Sequence, residues 1–62
     1  MNMCEIIEEI REYCLEIIGM ADNSYHIVVD KYNVNKVQNM LKDVGAELQF
    51  NYGVNIHIDV KF

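Results

Sequence analysis

The sequence predicts an α+β fold: a single two-layer domain in which two helices pack on one face of a three-stranded sheet. Two segments place apolar residues at the spacing of an amphipathic helix, and the last third of the chain alternates apolar and polar residues as a half-buried strand does. Sixty-two residues allow one domain at most, and no proline or linker-like segment divides them. We therefore predict a single domain over residues 1–62 with the element order α-β-α-β-β.

The first predicted helix covers residues 3–18 and ends at Gly19. At about 100° per residue, its apolar side chains fall in one arc. They are Met3, Ile6, Ile7, Ile10, Tyr13, Cys14, Ile17 and Ile18. The glutamates of the segment fall in a sector on the opposite side: Glu5, Glu8, Glu9, Glu12 and Glu16. This separation is typical of a helix with one buried side and one solvated side.

A strand and a second helix follow. Residues 25–32 are rich in β-branched and aromatic side chains, which predicts a strand after a turn at residues 20–24. One face of this strand carries Tyr25, Ile27 and Val29, and the other carries His26, Val28 and Asp30. The next segment predicts a helix with Asn33 as its N-cap and Gly45 at its C-terminal stop.

Residues 46–62 predict a β-hairpin, because apolar and polar residues alternate on both sides of Gly53. A two-residue loop would pair opposite faces of the two strands, so we predict a three-residue loop over residues 51–53. This loop places Glu47 opposite His57, and Gly53 supplies the left-handed residue that such loops use. The last strand is the longest and most regular, so we expect it between the other two.

The charge balance excludes several classes of partner. Ten acidic residues against five basic ones give a net charge of -5, and the basic residues are scattered, so we predict no direct binding of nucleic acid. No apolar run approaches the roughly 20 residues of a membrane span. The start MNMCEIIEE lacks the basic and apolar regions of a signal peptide. We therefore expect a cytoplasmic location and no membrane partner.

The residues that carry covalent chemistry are few. In a continuous helix, Cys4 and Cys14 would lie about 15 Å apart, beyond the reach of a disulfide, so we predict free thiols in a reducing compartment. Ser24 is the single serine, and no serine–histidine–acid set or glycine-rich phosphate loop is present. We predict a protein without catalytic activity and without a cofactor.

The glutamates of the first helix have two interpretations. The simpler one is that the solvated side of an amphipathic helix must be polar. However, like charges four residues apart repel each other, and no lysine lies among these glutamates to relieve the repulsion. A basic surface on another molecule would offset that cost. We therefore predict Glu5, Glu8, Glu9, Glu12 and Glu16 as partner-binding residues.

Four further polar side chains would meet on the open side of the sheet if the first and last strands are neighbours: His26, Asp30, His57 and Asp59. They could form a zinc-like site, or they could be solvated positions with a modest cross-strand pair between Glu47 and His57. Because a zinc site needs three or four ligands at fixed distances, we favour the solvated positions and predict no metal.

The predicted order of elements is similar to the later part of small sulfur-carrier domains. Those domains place a Cys-Pro dipeptide at a helix start, whereas this chain has Cys4-Glu5 and no proline, so their activity is not transferred. In size, acidity and lack of a catalytic set, the chain also resembles the small inhibitor proteins that bacteriophages and mobile elements encode.

These observations favour two functions. The leading hypothesis is a small acidic interaction module, of the inhibitor type, that binds a basic surface of a larger protein through the glutamate side of the first helix. If that surface normally holds nucleic acid, the helix would act as a mimic of it. The alternative is a homodimeric structural or regulatory module that contacts its copy through a sheet edge or the exposed sheet face.

Overall fold

The computed structural model describes residues 2–62 and has the mixed α+β architecture that the sequence predicts. Helix α1 spans Met3–Ile10 and continues into a 3₁₀ turn at Arg11–Tyr13. The remaining elements are β1 (Glu16–Gly19), β2 (Ser24–Val29), α2 (Val34–Asp43), β3 (Glu47–Tyr52) and β4 (Ile56–Lys61). The order of elements is therefore α-β-β-α-β-β, and the predicted order α-β-α-β-β is wrong.

The difference arises in the first segment, where the predicted helix over residues 3–18 is too long. Helix α1 begins at a cap, because the Asn2 side chain accepts a hydrogen bond from the Glu5 backbone at 2.9 Å. At Cys14 the backbone turns to an extended conformation, and β1 begins two residues later. The pairing of β1 with β2 satisfies the backbone groups on one side of β1 and places Ile17 beside Ile27. Long-range pairing of β-branched residues thus overrides the helical spacing.

The sheet has four antiparallel strands in the order β1-β2-β4-β3, so the prediction of three strands is also wrong. The last strand does lie between β2 and β3, as expected. One face of the sheet joins the buried residues of both helices in a single apolar cluster. Its members are Ile6, Ile7, Ile10, Ile27, Val29, Val37, Leu41, Ile56, Ile58 and Val60. The opposite face, which we call the open face, carries mostly polar side chains.

The β3–β4 hairpin has a three-residue loop, but the loop is Gly53–Asn55 rather than residues 51–53. Under the predicted register, Val60 and Lys61 would lie opposite residues 44 and 43, at the end of α2, and would have no partner in β3. In the observed register Glu47 pairs with Lys61, so β3 runs along the whole of β4. The shift is an even number of residues, which keeps every side chain on its predicted face. Gly53 lacks a positive φ, so its predicted left-handed role is wrong.

The middle of the chain follows the prediction more closely. Ile27 and Val29 are fully buried, and Gly45 ends α2 with a φ of 78°. Asn33 precedes α2, but its side chain makes no capping bond. Instead, the Asp30 carboxylate accepts hydrogen bonds from the backbone N–H groups of Tyr32 and Asn33, at 3.0 and 2.9 Å. In residues 2–62 no helix has the length and apolar character that a membrane crossing requires.

Candidate functional site

The five predicted partner-binding glutamates are all exposed, but they do not form one helical stripe. Three of them, Glu5, Glu8 and Glu9, project from α1, and Glu12 continues this side in the 3₁₀ turn. We call these four the acidic surface. Glu16 belongs to β1 and pairs with Val28, which places it on the open face of the sheet. The structure therefore separates Glu16 from the other four.

The acidic surface has little internal neutralisation. Arg11 is its one basic neighbour along the helix, with its Nη2 atom 3.6 Å from Oε1 of Glu8. Both side chains are largely exposed, so this pair contributes little to stability and leaves most of the negative charge facing solvent.

A shallow groove lies between the end of α1 and α2, next to the acidic surface. Its lining includes three of the acidic-surface carboxylates, together with Arg11, Tyr13 and Met40. The Lys36 ammonium lies 4.2 Å from the centre of the Tyr13 ring, which is a cation–π distance. The groove therefore combines three carboxylates with an aromatic ring that already contacts a lysine of the same chain.

The second candidate is on the open face, where β2 and β4 are neighbours and His26 lies directly opposite Asp59. Nδ1 of His26 is 2.8 Å from Oδ1 of Asp59, and Nε2 of His26 is 3.0 Å from Nδ1 of His57. Three of the four side chains that could converge on the open face therefore do so, and we call these three the His–His–Asp chain. Asp30 does not join them, because its carboxylate caps the turn before α2.

Each atom of the His–His–Asp chain has a defined role when both rings are neutral. The carboxylate only accepts, so Nδ1–H of His26 must donate to Asp59. Nε2 of His26 then carries a lone pair and accepts from Nδ1–H of His57. His26 is partly covered and Asp59 is exposed. The predicted pairing of Glu47 with His57 is wrong, since Glu47 faces Lys61 and His57 lies between Val28 and Asn51.

Within residues 2–62, no set of three or more His, Cys, Asp or Glu side chains is placed to hold a metal ion together. The Val28 side chain, which shares the open face with His26, is 8% exposed and therefore buried.

The edge strand β1 is a third candidate, and the sequence did not predict it. Leu15, Ile18 and Met20 are 58%, 42% and 59% exposed, in and beside a strand at the rim of the sheet. The helical interpretation of residues 3–18 hid this strand. A short β-branched pair before Gly19, followed by a polar turn and a further strand, was the signal that could have indicated it.

The cysteines are both free, as predicted. Cys4 is exposed, whereas Cys14 packs against the core. Burial raises the pKa of the Cys14 thiol to about 11, and the Arg11 guanidinium opposes part of that rise. A thiol with a raised pKa is a poor nucleophile at neutral pH, so Cys14 is a packing residue rather than a reactive one.

No protein-family model matches this chain, and no curated protein or solved structure shows significant similarity to it. Three surfaces of the chain itself are the candidates for its function. They are the acidic surface on α1, the exposed edge β1, and the His–His–Asp chain on the open face.

Proposed function

We propose that this protein is a small interaction module without catalytic activity, which binds a basic surface of a larger protein through its acidic surface. The observation that carries the proposal is the exposure of four carboxylates on one side of α1 and its 3₁₀ turn, with one weakly paired arginine among them. Like charges at this spacing cost a few tenths of a kcal/mol per pair in the free protein. A basic partner would turn that repulsion into attraction.

Electrostatics also indicates how such a complex would behave. A net charge of -5 on 62 residues accelerates the approach of a positively charged partner, and added salt screens the attraction. The groove beside the acidic surface adds Tyr13, whose ring a partner arginine or lysine could contact by displacing Lys36.

An inhibitor that displaces nucleic acid from its partner is one form of this function. The mimicry would be loose, since a helical turn advances 5.4 Å and phosphates along one strand are about 3.4 Å apart. We propose a cytoplasmic location for the complex, because free thiols persist in reducing compartments.

Capture from a cell lysate on the immobilised protein, followed by elution with increasing salt, tests this proposal. We expect one basic protein to be released at moderate salt, because the contacts are between exposed charges. If the bait retains only its own copies, or if its partner stays bound at high salt, binding through the acidic surface is rejected.

A homodimer is the second candidate function, and the β1 edge favours it. Six large apolar side chains are strongly exposed in residues 2–62, and three of them fall within residues 15–20. The other edge, β3, presents polar Glu47, Gln49 and Asn51 on the open face. Charged and polar residues are the usual protection of a sheet edge, so β1 is the less protected of the two.

The backbone of β1 is suited to pairing with a second copy of itself. Met20 N–H donates to the Ser24 carbonyl of β2 at 2.8 Å. By alternation, the N–H and C=O groups of Ile17 and Gly19 point away from β2. In a two-fold arrangement, Ile17 of each copy would pair with Gly19 of the other, which forms four backbone hydrogen bonds. Glu16 would then face Met20 of the second copy, so no like charges would lie opposite each other.

Sedimentation over a range of protein concentrations tests the homodimer. We expect a dimer that Ile18→Lys disrupts, because this pairing places the two Ile18 side chains directly opposite each other. Val54→Lys, which adds the same charge at a 97% exposed loop position, is the matched control and should leave the dimer intact. A monomer at every concentration, or an unaffected Ile18→Lys dimer, would contradict pairing through β1.

A further inference from the structure

We propose that His26 and His57 form a two-histidine site for a divalent transition-metal ion such as Zn²⁺ or Ni²⁺, with Asp59 holding His26 in the ligating tautomer. The interaction surfaces described above do not use these three side chains. The proposal replaces the sequence-based preference for simple solvated positions. It also differs from a zinc site with three or four protein ligands, which the structure does not contain in residues 2–62.

The separation of the two ring nitrogens fits a shared ion. Nε2 of His26 and Nδ1 of His57 are 3.0 Å apart. Two nitrogens that each lie about 2.0–2.1 Å from one ion are separated by about 2.9 Å at a 90° ligand angle and by about 3.3 Å at a tetrahedral angle. The separation of the two nitrogens therefore needs to change by only a few tenths of an ångström. Each ring must also turn, so that its lone pair points at the ion instead of at the other ring. His57 is exposed, so its ring can turn toward the ion without disturbing the core.

Binding of an ion requires the proton that lies between the two rings to move to another nitrogen. In the neutral pair, His57 carries its ring proton on Nδ1, where it points at His26. When an ion binds between the rings, this proton is lost from Nδ1 and one is taken up at Nε2 of the same ring, so the net proton count is unchanged. Both ligating nitrogens then present lone pairs, as imidazole must do to bind a metal.

Asp59 supplies the outer support that metal-ligating histidines commonly have. Its carboxylate accepts from Nδ1–H of His26 at 2.8 Å, which fixes Nε2 as the nitrogen with the free lone pair. The cross-strand register holds this pair, since His26 and Asp59 are directly opposite in β2 and β4. Imidazole ligands favour zinc, nickel and copper, which identifies the class of ion. Water would complete the coordination of the ion.

Histidine NMR during a ZnCl₂ titration tests the site directly, because the chain contains two histidines and both belong to it. A Cys4→Ser background under reducing conditions removes the exposed thiol as a competing ligand. We expect both imidazoles to shift together and to saturate at one equivalent. His26→Ala and His57→Ala should each abolish the saturable shift of the remaining ring.

Two further variants separate the support by Asp59 from general charge. Asp59→Asn should weaken Zn²⁺ binding about tenfold or more, as loss of an outer carboxylate does. Glu47→Gln removes an open-face carboxylate that faces Lys61, so it should leave binding unchanged. Each variant is compared after its amide spectrum shows the wild-type fold, with His57→Gln as the substitute if His57→Ala unfolds.

Three results would overturn the proposal. The first is Zn²⁺ binding that perturbs the glutamates of α1 and leaves both imidazoles unchanged. The second is no saturable binding at one equivalent. The third is an Asp59→Asn variant with wild-type affinity, which would remove the assigned role of Asp59.

Discussion

The two faces of the sheet are made from alternating residues of the same strands, yet they differ in almost every property. On β4, Ile56, Ile58 and Val60 are buried against the helices, while the residues between them are exposed on the open face. The face that packs against the helices, which we call the covered face, therefore accounts for the stability of the fold. The open face holds the His–His–Asp chain. Substitutions that test binding can be made on the open face and on the outer side of α1 without removing the core.

The largest expected effect is a difference in stability between substitutions at two neighbouring residues of β4. Ile58→Ala should lower the free energy of unfolding by about 2–5 kcal/mol, since it removes a fully buried side chain and leaves a cavity. His57→Ala, one residue away on the open face, should change it by about 0.5 kcal/mol or less. Urea denaturation of both variants measures the difference. Equal losses would contradict the assignment of stability to the covered face.

The next prediction concerns the junctions that join the helices to the sheet. Gly45→Ala should cost about 1 kcal/mol, because Gly45 has a φ of 78° where a side chain is strained. Gly53→Ala is the matched control in the β3–β4 loop. Its φ is not in the left-handed region, and the added carbon would lie 3.5 Å from the Asn55 carbonyl. Thermal unfolding should show a clear loss for the first variant and a small change for the second.

Asp30 is an exception to the division between the two faces. By alternation it belongs to the open face, but its carboxylate caps the turn before α2, which packs on the covered face. Asp30→Ala should lower the free energy of unfolding by about 1 kcal/mol, because it removes the acceptor for two backbone N–H groups. Asp43→Asn, at the exposed end of α2, should have little effect. If both variants have wild-type stability in denaturant, the capping role of Asp30 is rejected.

The last prediction is the pH dependence due to Cys14, which has no effect at neutral pH and appears only in alkaline solution. Its pKa is near 9.0 in the unfolded chain and about 11 in the folded protein, so the unfolded state loses its proton first. The stability contributed by this group is complete below pH 9 and declines as the pH rises to about 11. In Cys14→Ala the free energy of unfolding should no longer show this contribution to the decline between pH 9 and about 11, whereas Cys4→Ala should still show it. Identical unfolding curves for all three proteins over this range would contradict the raised pKa.

The sequence predicted the elements whose periodicity is unambiguous. Alternation placed Ile27, Ile58 and their neighbours on the covered face, and the left-handed Gly45 ended α2 where expected. Around Ile17 the apolar pattern fits both the helical period and the strand period, because each conformation points this residue toward the core. Only the pairing of β1 with β2 decides between them, and local spacing does not contain that information.

For the His–His–Asp chain, the sequence predicted which side chains lie close together but not how they are hydrogen-bonded. The expectation that the strand containing His26 lies beside the last strand was enough to bring His26, His57 and Asp59 together, and in the structure these strands are β2 and β4. The hydrogen-bonded order of the three depends on the register of β2 against β4, and alternation alone leaves a register undetermined by multiples of two residues. The separation of Glu16 from the acidic surface follows from the same missed strand.

If a basic partner binds the acidic surface, its binding depends on where the negative charge of this protein lies. Two charge-matched variants test this dependence. Glu9→Gln/Glu12→Gln removes two carboxylates from the acidic surface, and Asp43→Asn/Glu47→Gln removes two from elsewhere, so both proteins have a net charge of -5 + 2 = -3. We predict that capture of a basic partner from lysate is lost or shifted to lower salt only in the first variant. Equal capture by both variants would contradict a binding site on α1.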